Sequence, residues 1–179
     1  MADAIGTTVF ITEFGWCGLA WTEAGVCAAT LPCECREAAT GQLRRNLQYA
    51  GMSGVDPCIP TTSDARAAQR WCEGYFRGEA CIPGFRLDLG RMTDFQRRAC
   101  RALMGIRRGQ VRSYAHLADN LGIPRAPRAA GTACARNPLP VIVPCHRIVR
   151  SSGSTGGFAG GPELKRRMLE LEGVALGSA

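Results

Sequence analysis

The sequence predicts two domains of different class, a small α/β domain over residues 1–90 and a mostly α-helical domain over residues 91–179. Short apolar segments separated by turn residues fill the first third of the chain, a pattern typical of β-hairpins. Helix-capping patterns recur in the second half, and Pro83, Gly84 and Gly90 mark a linker or a crossing strand between the halves. A length of 179 residues indicates one or two domains, at roughly 100–200 residues per domain.

The composition is that of a globular protein, with 46% hydrophobic and 21% charged residues. It excludes disordered, collagen-like and coiled-coil classes. The longest apolar runs fall far short of the ~18 residues that span a membrane, so we expect no membrane partner. The first eight residues include Asp3 and no basic residue, so a secretory signal peptide is not expected. Together these features predict a cytoplasmic protein.

Charge is distributed unevenly along the chain. Residues 1–90 carry a net charge of −3 and residues 91–179 carry +10, within a total of +7. A strongly basic half favours a polyanionic partner, most simply nucleic acid. A solvated basic face without a partner is the alternative that charge alone leaves open.

The first domain is predicted to contain a small antiparallel sheet followed by helices. Gly15 and residues 23–25 separate three apolar segments, which predicts two hairpins. The strands are predicted at Thr7–Phe14, Trp16–Thr22 and Val26–Leu31, the helices at about Glu37–Ala50 and Asp64–Arg77, and a loop at Gly51–Thr62.

Capping residues locate the helices of the second domain. Thr93 and Gln96 form the pattern of a capping box, at the start of a helix that runs to about Gly105. Ser113 is a suitable N-cap for a second helix, and Gly122 is a suitable residue to end it.

A third helix is predicted over Arg128–Ala135, with Pro127 in its first turn. It ends before Asn137-Pro138, because a residue that precedes proline disfavours helical geometry. With the preceding helix it forms the pattern of a helix-turn-helix. The remaining predictions are a short buried strand at Val141–Val143, a glycine-rich loop at Ser151–Gly161 and a last helix at Pro162–Glu172.

The stretch Pro144-Cys145-His146-Arg147 carries the clearest chemistry. A nucleophilic cysteine needs a nearby base or positive charge to lower its pKa. His146 is a candidate base, acting through a water because adjacent side chains diverge, and Arg147 is a candidate source of positive charge. The alternative is that Cys145 is simply one of ten cysteines and His146 a structural residue.

Glu172 is a candidate acceptor that orients the His146 ring. It lies in the last turn of the final predicted helix, where the helix dipole disfavours a carboxylate by roughly 0.3–1 kcal/mol. An ordinary exposed glutamate is the alternative that its position leaves open.

Several short motifs follow one another through the second half of the chain. They are Phe95-Gln96, Ser113-Tyr114, Arg128-Ala129-Ala130-Gly131, Asn137-Pro138, Pro144-Cys145-His146-Arg147, Gly156-Gly157-Phe158-Ala159-Gly160-Gly161, Lys165 and Glu172-Gly173. With them, residues 93–173 resemble the C-terminal domain of O6-alkylguanine-DNA alkyltransferases, also called methylated-DNA–protein-cysteine methyltransferases. Tyr75-Phe76-Arg77-Gly78 and Asp88 resemble the end of that family's N-terminal domain.

The resemblance implies a ribonuclease-H-like N-terminal scaffold and a winged-helix-like helix-turn-helix in the C-terminal domain. It implies a monomeric DNA repair protein that moves a methyl or other alkyl group from O6-alkylguanine in duplex DNA to its own Cys145. The resulting thioether has no easy hydrolytic exit, so each molecule acts once. No cofactor is implied, because the lesion itself supplies the alkyl group.

The same resemblance assigns catalytic roles to four residues. Cys145 is the nucleophile, His146 its water-linked base and Glu172 the acceptor that orients His146. Asn137 braces the turn that leads to the active site through backbone hydrogen bonds.

The resemblance also implies that the helix-turn-helix enters the minor groove of double-stranded DNA and that the alkylated guanine is flipped out. The small residues Ala129 and Gly131 allow close approach, Arg128 fills the gap in the base stack, and Tyr114 donates a hydrogen bond to the base. The substrate-binding residues are therefore Tyr114, Arg128, Ala129, Gly131 and, through their backbone amides, Phe158 and Ala159.

Four residues depart from the family pattern. Phe158 and Ala159 stand where tyrosine and serine are common, Cys100 stands at a position usual for tryptophan, and Ala130 is smaller than the usual valine. These departures leave lesion preference and rate open, whereas the residues of the reaction itself are present.

A metal site is not expected. Some members of the family hold a structural zinc, and four N-terminal cysteines could in principle do so here. However, one residue separates Cys33 from Cys35, no second pair matches them, and no histidine precedes His116.

Two other functions stay open at the level of sequence. One is a non-enzymatic helix-turn-helix protein that binds lesions or regulates genes. The other is a thiol redox protein, suggested by ten cysteines. The redox function requires a resolving cysteine near Cys145, which the sequence neither shows nor excludes.

Overall fold

The computed structural model describes residues 5–52, 61–80 and 82–175. Contacts divide the chain into two compact units, Met1–Met92 with Pro138–Ile142 and Thr93–Asn137 with Val143–Ala179. The sequence places a boundary at residue 90 but assigns residues 138–142 to the second domain. In the structure the Ala29 amide donates to the Pro138 carbonyl at 2.9 Å, within the first unit.

The first unit contains a three-stranded antiparallel sheet in the order β1-β2-β3. The strands are β1 Gly6–Thr12, β2 Gly15–Thr22 and β3 Gly25–Ala29. β2 is the central strand, and Leu19, Ala20 and Trp21 are almost completely buried. The predicted hairpins are confirmed. Gly15 has a φ of +128°, and a side chain there would collide with the Cys33 carbonyl.

Two helices form where the sequence predicts them, α1 Arg36–Tyr49 and α2 Ser63–Phe76, and both pack against the sheet. Cys35 caps α1 through its sulfur, and Thr62 caps α2 through its hydroxyl. Residues 53–60, most of the predicted loop between them, lie outside the described residues.

The segment after α2 runs beside β3. The sequence left open whether this segment is a linker or a crossing strand, and the pairing shows that it crosses beside the sheet. Leu87 forms a parallel bridge with Val26, and the Asp88 amide donates to the Val26 carbonyl at 2.9 Å. The Thr22 hydroxyl donates to the Asp88 carboxylate at 2.7 Å. These contacts extend the edge of the sheet.

Three helices begin the second unit, α3 Asp94–Met104, α4 Tyr114–Asn120 and α5 Pro127–Ala135. The capping box is confirmed, because the side chains of Thr93 and Gln96 each accept from the other's backbone amide. The Ser113 hydroxyl accepts from the His116 amide at the start of α4, and Gly122, with φ +72°, follows its end. α4 and α5 pack together and both contact α3, as a helix-turn-helix requires.

The predicted strand at Val141–Val143 is wrong. Residues 138–143 form bends and turns, and Val141 has a left-handed φ of +74°. Three prolines within residues 138–144 explain the difference, since proline cannot donate to a strand ladder.

Short elements follow this turn. Cys145–Arg147 forms one 3₁₀ turn, and β5 Ile148–Val149 pairs in parallel with β4 Arg112–Ser113. The sequence does not predict this pairing, because two residues are too few to show a strand period. The last helix, α6 Gly161–Leu171, forms close to its predicted range, and Glu172 is its C-cap. None of the helices in the described ranges is long and apolar enough to cross a lipid bilayer.

Candidate active site

Cys145 is the first residue of the 3₁₀ turn, and only 5% of its surface is exposed. Its amide donates to the Val143 carbonyl at 2.8 Å, and the Arg147 amide donates to the Pro144 carbonyl at 3.1 Å. The predicted nucleophile therefore sits in a fixed backbone turn that excludes most water.

Asn137 is buried next to this turn, two residues after helix α5. Its side-chain amide donates to the Val143 carbonyl at 2.7 Å and also to the Cys145 sulfur. From the sequence, we expect Asn137 to hold the backbone. The structure adds a direct contact with the nucleophilic sulfur.

Burial raises the pKa of Cys145, although several groups act in the opposite direction. The hydrogen bond from Asn137, the positive charge of Lys165 and the backbone amides of Cys145 and His146 all lower it. The net shift differs from the lowered pKa that the sequence analysis expects, because desolvation of the thiolate outweighs these contacts. The thiol is therefore protonated at neutral pH and needs a base.

His146 and Glu172 form a buried pair, with Nε2 of the histidine 2.8 Å from Oε1 of the glutamate. Burial lowers the pKa of His146, and the hydrogen bond and charge of Glu172 oppose that shift only in part. The ring is therefore neutral at pH 7. Because the carboxylate accepts from Nε2–H, Nδ1 carries the basic lone pair. The alternative of an exposed Glu172 is excluded.

Arg147 holds the same carboxylate. Its Nε and Nη2 donate to the two oxygens of Glu172 at 2.8 Å each, and Nη1 donates to the Ile106 carbonyl at 2.5 Å. Burial raises the pKa of Glu172, but the hydrogen bonds from His146 and Arg147 outweigh burial and hold that pKa well below its usual range. The expectation that Arg147 supplies positive charge to Cys145 is therefore wrong, because Glu172 pairs with that charge.

Lys165 provides the positive charge instead. Its side chain is buried within α6, where the ammonium donates to the carbonyls of Ile148 and Thr155. Burial lowers the pKa of Lys165 to about 8, and negative charge on Cys145 acts to raise it. The lysine and the thiol thus stabilise each other's charged forms.

Lys165 belongs to one of the sequence motifs, but the sequence predicts no role for it. One sequence feature does mark it as a candidate for a role, because it is the single lysine among 22 basic residues. It also falls on the same face of α6 as Met168 and Leu169, three and four positions later, and both are buried. A charged residue on the apolar face of a helix calls for a specific partner.

Three predicted substrate-binding residues lie together around Tyr114. Its hydroxyl donates to the Gly157 carbonyl at 3.0 Å, and a side chain on Gly131 would touch its ring at 3.7 Å. The Lys165 ammonium lies 5.8 Å from the centre of the Tyr114 ring and 5.7 Å from that of Phe158. These contacts join the start of α4, helix α5 and the glycine-rich loop.

The other predicted substrate-binding residues lie nearer the surface. Arg128 is exposed in the first turn of α5, and Ala129 beside it is half-buried. Ala159 is exposed in the glycine-rich loop. A macromolecule that binds the outer side of α5 can therefore reach them.

Within residues 5–52, 61–80 and 82–175, no group of three or more His, Cys, Asp or Glu side chains is arranged to hold a metal ion. Cys58 and Cys81 lie outside those ranges. The absence of a metal from the whole chain therefore stays a prediction.

Comparison with protein families places the second unit in a known group. Residues 94–174 match the model described as "6-O-methylguanine DNA methyltransferase, DNA binding domain". These residues include all four predicted catalytic side chains and the six predicted to bind substrate.

Curated relatives carry the name methylated-DNA–protein-cysteine methyltransferase. The protein from Mycobacterium tuberculosis is 49% identical over 98 residues, which cover 55% of this chain and 59% of that protein. The match thus spans less than two thirds of its length. The relative from Methanosarcina acetivorans is 42% identical over 109 residues, or 60% of this chain and 69% of its own. That from Mycobacterium leprae is 45% identical over 114 residues, with shares of 64% and 68%.

Solved structures match over almost the whole chain. The O6-methylguanine methyltransferase of Mycobacterium tuberculosis has a TM-score of 0.72 at 32% identity, covering 97% of this chain and 96% of that one. The same organism's protein in complex with DNA has a TM-score of 0.72 at 33% identity, with coverage of 93% and 92%. Because relatives at 42% and 45% identity are matched over 69% and 68% of their lengths, the chain belongs to the methylated-DNA–protein-cysteine methyltransferase family.

Proposed function

We propose that this protein repairs DNA by transferring a methyl or other alkyl group from O6-alkylguanine in a duplex to its own Cys145, once per molecule. One observation carries the proposal. The Cys145 thiol is buried in a fixed turn against Asn137, and the next residue, His146, is paired with the ionised Glu172. A nucleophile, a neutral base and the group that orients this base thus occupy adjoining positions.

The first step moves a proton from the Cys145 thiol. His146 is neutral and donates through Nε2 to Glu172, so Nδ1 is the atom that accepts the proton, through a water that bridges to the thiol. The carboxylate of Glu172 then stabilises the imidazolium. Arg147 keeps that carboxylate ionised and correctly oriented. Asn137 and Lys165 stabilise the thiolate that forms.

The second step is displacement at the alkyl carbon. The sulfur of Cys145 forms a bond to that carbon as the bond from carbon to O6 breaks, and the electron pair passes to the guanine. Tyr114 donates a hydrogen bond to the ring nitrogen that gains charge, in place of the one that it donates to the Gly157 carbonyl in this structure. Burial raises the pKa of Tyr114, with negative charge on Cys134 and Cys145 adding to the effect, so the phenol keeps its proton.

DNA binding by α4 and α5 brings the lesion to the thiol. The alkylated base must leave the stack, because its O6 substituent is otherwise unreachable. Ala129 and Gly131 allow α5 to approach the floor of the minor groove, and Arg128 fills the gap that the flipped nucleotide leaves. The backbone amides of Phe158 and Ala159 contact O6. The DNA complex of the mycobacterial relative supports the choice of partner.

The remaining features of the proposal concern the whole chain. Residues 1–90 serve as a ribonuclease-H-like scaffold, and residues 91–179 form a winged-helix-like domain that binds DNA and accepts the alkyl group. The protein acts as a monomer in the cytoplasm. No cofactor takes part, because the alkyl donor is the lesion.

Comparison of wild type with Cys145→Ala tests the proposal. Both are mixed with a duplex that contains one O6-methylguanine, and both binding and loss of the lesion are measured. We expect equal binding, with loss of the methyl group from DNA in the wild type alone. Equal binding without loss in either protein would instead favour the non-enzymatic lesion-binding function.

A further inference from the structure

A second thiol lies beside the nucleophile. Cys134 is half-buried in the last turn of α5. Burial raises the pKa of its thiol, and negative charge on Cys145 raises it further. The pKa values of Lys165 and Tyr114 both respond to charge on the two cysteines. All four side chains therefore lie within electrostatic range of one another. Both thiols are reduced in this structure.

Backbone geometry supports the same placement. The Asn137 amide donates to the Cys134 carbonyl at 3.3 Å, and the Asn137 side chain donates to the Cys145 sulfur. Gly131 faces the Tyr114 ring, and Cys134 follows it by three residues, so both lie on one face of α5. That face is the one directed at the pocket.

We propose that Cys134 is the resolving cysteine of Cys145, and that a peroxide joins the two in a reversible disulfide that blocks alkyl transfer. This inference rests on the proposed function for its consequence, since the oxidised sulfur cannot attack an alkyl group. The sequence left open a thiol redox function, and this proposal places that redox chemistry at Cys145 of the repair site.

The peroxide is the oxidant that converts the two thiols to a disulfide. The peroxide first converts one thiol to a sulfenic acid, and its O–O bond breaks to leave an alcohol, or water from hydrogen peroxide. The second thiol then attacks the sulfenic sulfur, the S–S bond forms, and water departs with the thiol proton. Two thiols lose two hydrogen atoms in total, and dithiothreitol restores both.

Cys134 is a better partner than Cys100, which is the other cysteine, among those in the described ranges, whose pKa responds to charge on Cys145. Cys100 is buried in the interior of α3, so that reaching the nucleophile would disturb a whole helix. Cys134 lies one residue before the end of α5. Because helix ends fray more readily than helix interiors, bonding to Cys134 would require the rearrangement of the last turn of α5 alone.

Peptide mapping tests the proposal on the full chain without DNA. Reduced protein is treated with hydrogen peroxide, the thiols that persist are blocked with iodoacetamide, and the protein is digested with trypsin without reductant. Cleavage after arginine places Cys134 in peptide 129–136 and Cys145 in peptide 137–147. We expect these two peptides to be joined, at a mass two hydrogen atoms below their sum.

Transfer activity is measured on the same samples. Oxidation is expected to lower the amount of methyl accepted from an O6-methylguanine duplex by about tenfold or more, and dithiothreitol is expected to restore it. Protein already methylated by that duplex should not form the joined peptide, since Cys145 is then a thioether.

Two matched variants distinguish the partner. Cys134→Ser should accept methyl when reduced, form no disulfide to Cys145, and lose the part of the peroxide effect that dithiothreitol reverses. Cys100→Ser should behave as the wild type. Joining of Cys145 to peptide 99–101, or reversible inactivation that survives in Cys134→Ser, would overturn the proposal, as would failure of the joined peptide to form in the wild type. A reduced wild type that accepts no methyl would refute the proposed function, whereas the peptide map would still decide the disulfide.

Discussion

Glu172 accepts a hydrogen bond from Nε2 of His146 at 2.8 Å, and the side chains of both residues are completely buried. The pair lies 26 positions apart in sequence and joins the 3₁₀ turn to the end of α6. Arg147 binds the same carboxylate through two nitrogens. Glu172 therefore orients the ring of His146 and also balances the positive charge of Arg147.

Glu172→Gln should impair both stability and transfer. The amide cannot balance the charge of Arg147 or hold the imidazolium of His146. We expect the free energy of unfolding to fall by about 2–4 kcal/mol, and the transfer rate to fall about 100-fold or more. Urea unfolding and single-turnover transfer to an O6-methylguanine duplex measure the two effects.

Glu170→Gln is the matched control on the same helix. Glu170 pairs with Arg166, and both side chains are about half exposed. The free energy of unfolding should change by less than about 0.5 kcal/mol. If Glu172→Gln and Glu170→Gln behaved alike, the buried pair of His146 and Glu172 would support neither stability nor transfer.

Stability should fall as pH drops from 7 to 5, chiefly because of His146. Burial holds its pKa in the folded protein below the ordinary value of 6.5, so the unfolded chain takes up a proton first. The stability associated with the neutral ring is present above pH 6.5 and is lost as the pH falls through the folded pKa. Urea unfolding at several pH values should show this slope.

Replacing each histidine in turn shows which one causes the fall in stability between pH 7 and pH 5. His146→Gln should flatten it, whereas His116→Gln, which alters an exposed residue of α4, should preserve it. A wild-type stability that stays level between pH 7 and 5 would contradict the burial of a neutral His146.

Lys165→Met should make Cys145 a poorer nucleophile. Methionine fills a similar volume but lacks the positive charge that lowers the pKa of the thiol. We expect a higher pKa for Cys145, and a rate of transfer at neutral pH lower by about tenfold or more. The rate of Cys145 alkylation by iodoacetamide as a function of pH measures the change. An unchanged pH profile would show that Asn137 and the backbone amides suffice without Lys165.

Local signals account for what the sequence predicts correctly. Thr93 with Gln96 and Ser113 mark helix starts through side chains that bond to the next turn, so three or four residues contain the whole pattern. Residue chemistry alone makes Cys145, His146 and Glu172 candidates, and the family resemblance adds Asn137 and assigns each residue its role. These residues do come together in the second unit, as the contacts of Asn137 and Glu172 show.

The incorrect predictions about the site concern tertiary contacts. Nothing in the stretch Cys145-His146-Arg147 shows that Arg147 is committed to a carboxylate 25 positions away. Likewise, no local pattern shows that burial raises the pKa of Cys145 or that the charge of Lys165 lowers it. Desolvation depends on all the neighbours of a group, which only the packed fold supplies.

DNA affinity should fall steeply as salt increases, because contacts to phosphate release counterions. Arg125 is exposed in the turn between α4 and α5. Arg125→Ala should reduce the slope of log Kd against log salt by about one. Arg70→Ala, an exposed site on α2, should leave the slope unchanged. Affinity that is flat across a tenfold range of salt would contradict DNA binding through the basic second unit.

Intact-protein mass spectrometry after incubation with a duplex that contains one O6-methylguanine tests the central claim most directly. The account predicts a mass gain of one methyl group in place of hydrogen. The gain should saturate at one per protein however much duplex is added, and it should map to Cys145 in the tryptic peptide 137–147. A methyl group on another residue, continued turnover beyond one equivalent, or no gain in mass despite binding would contradict it.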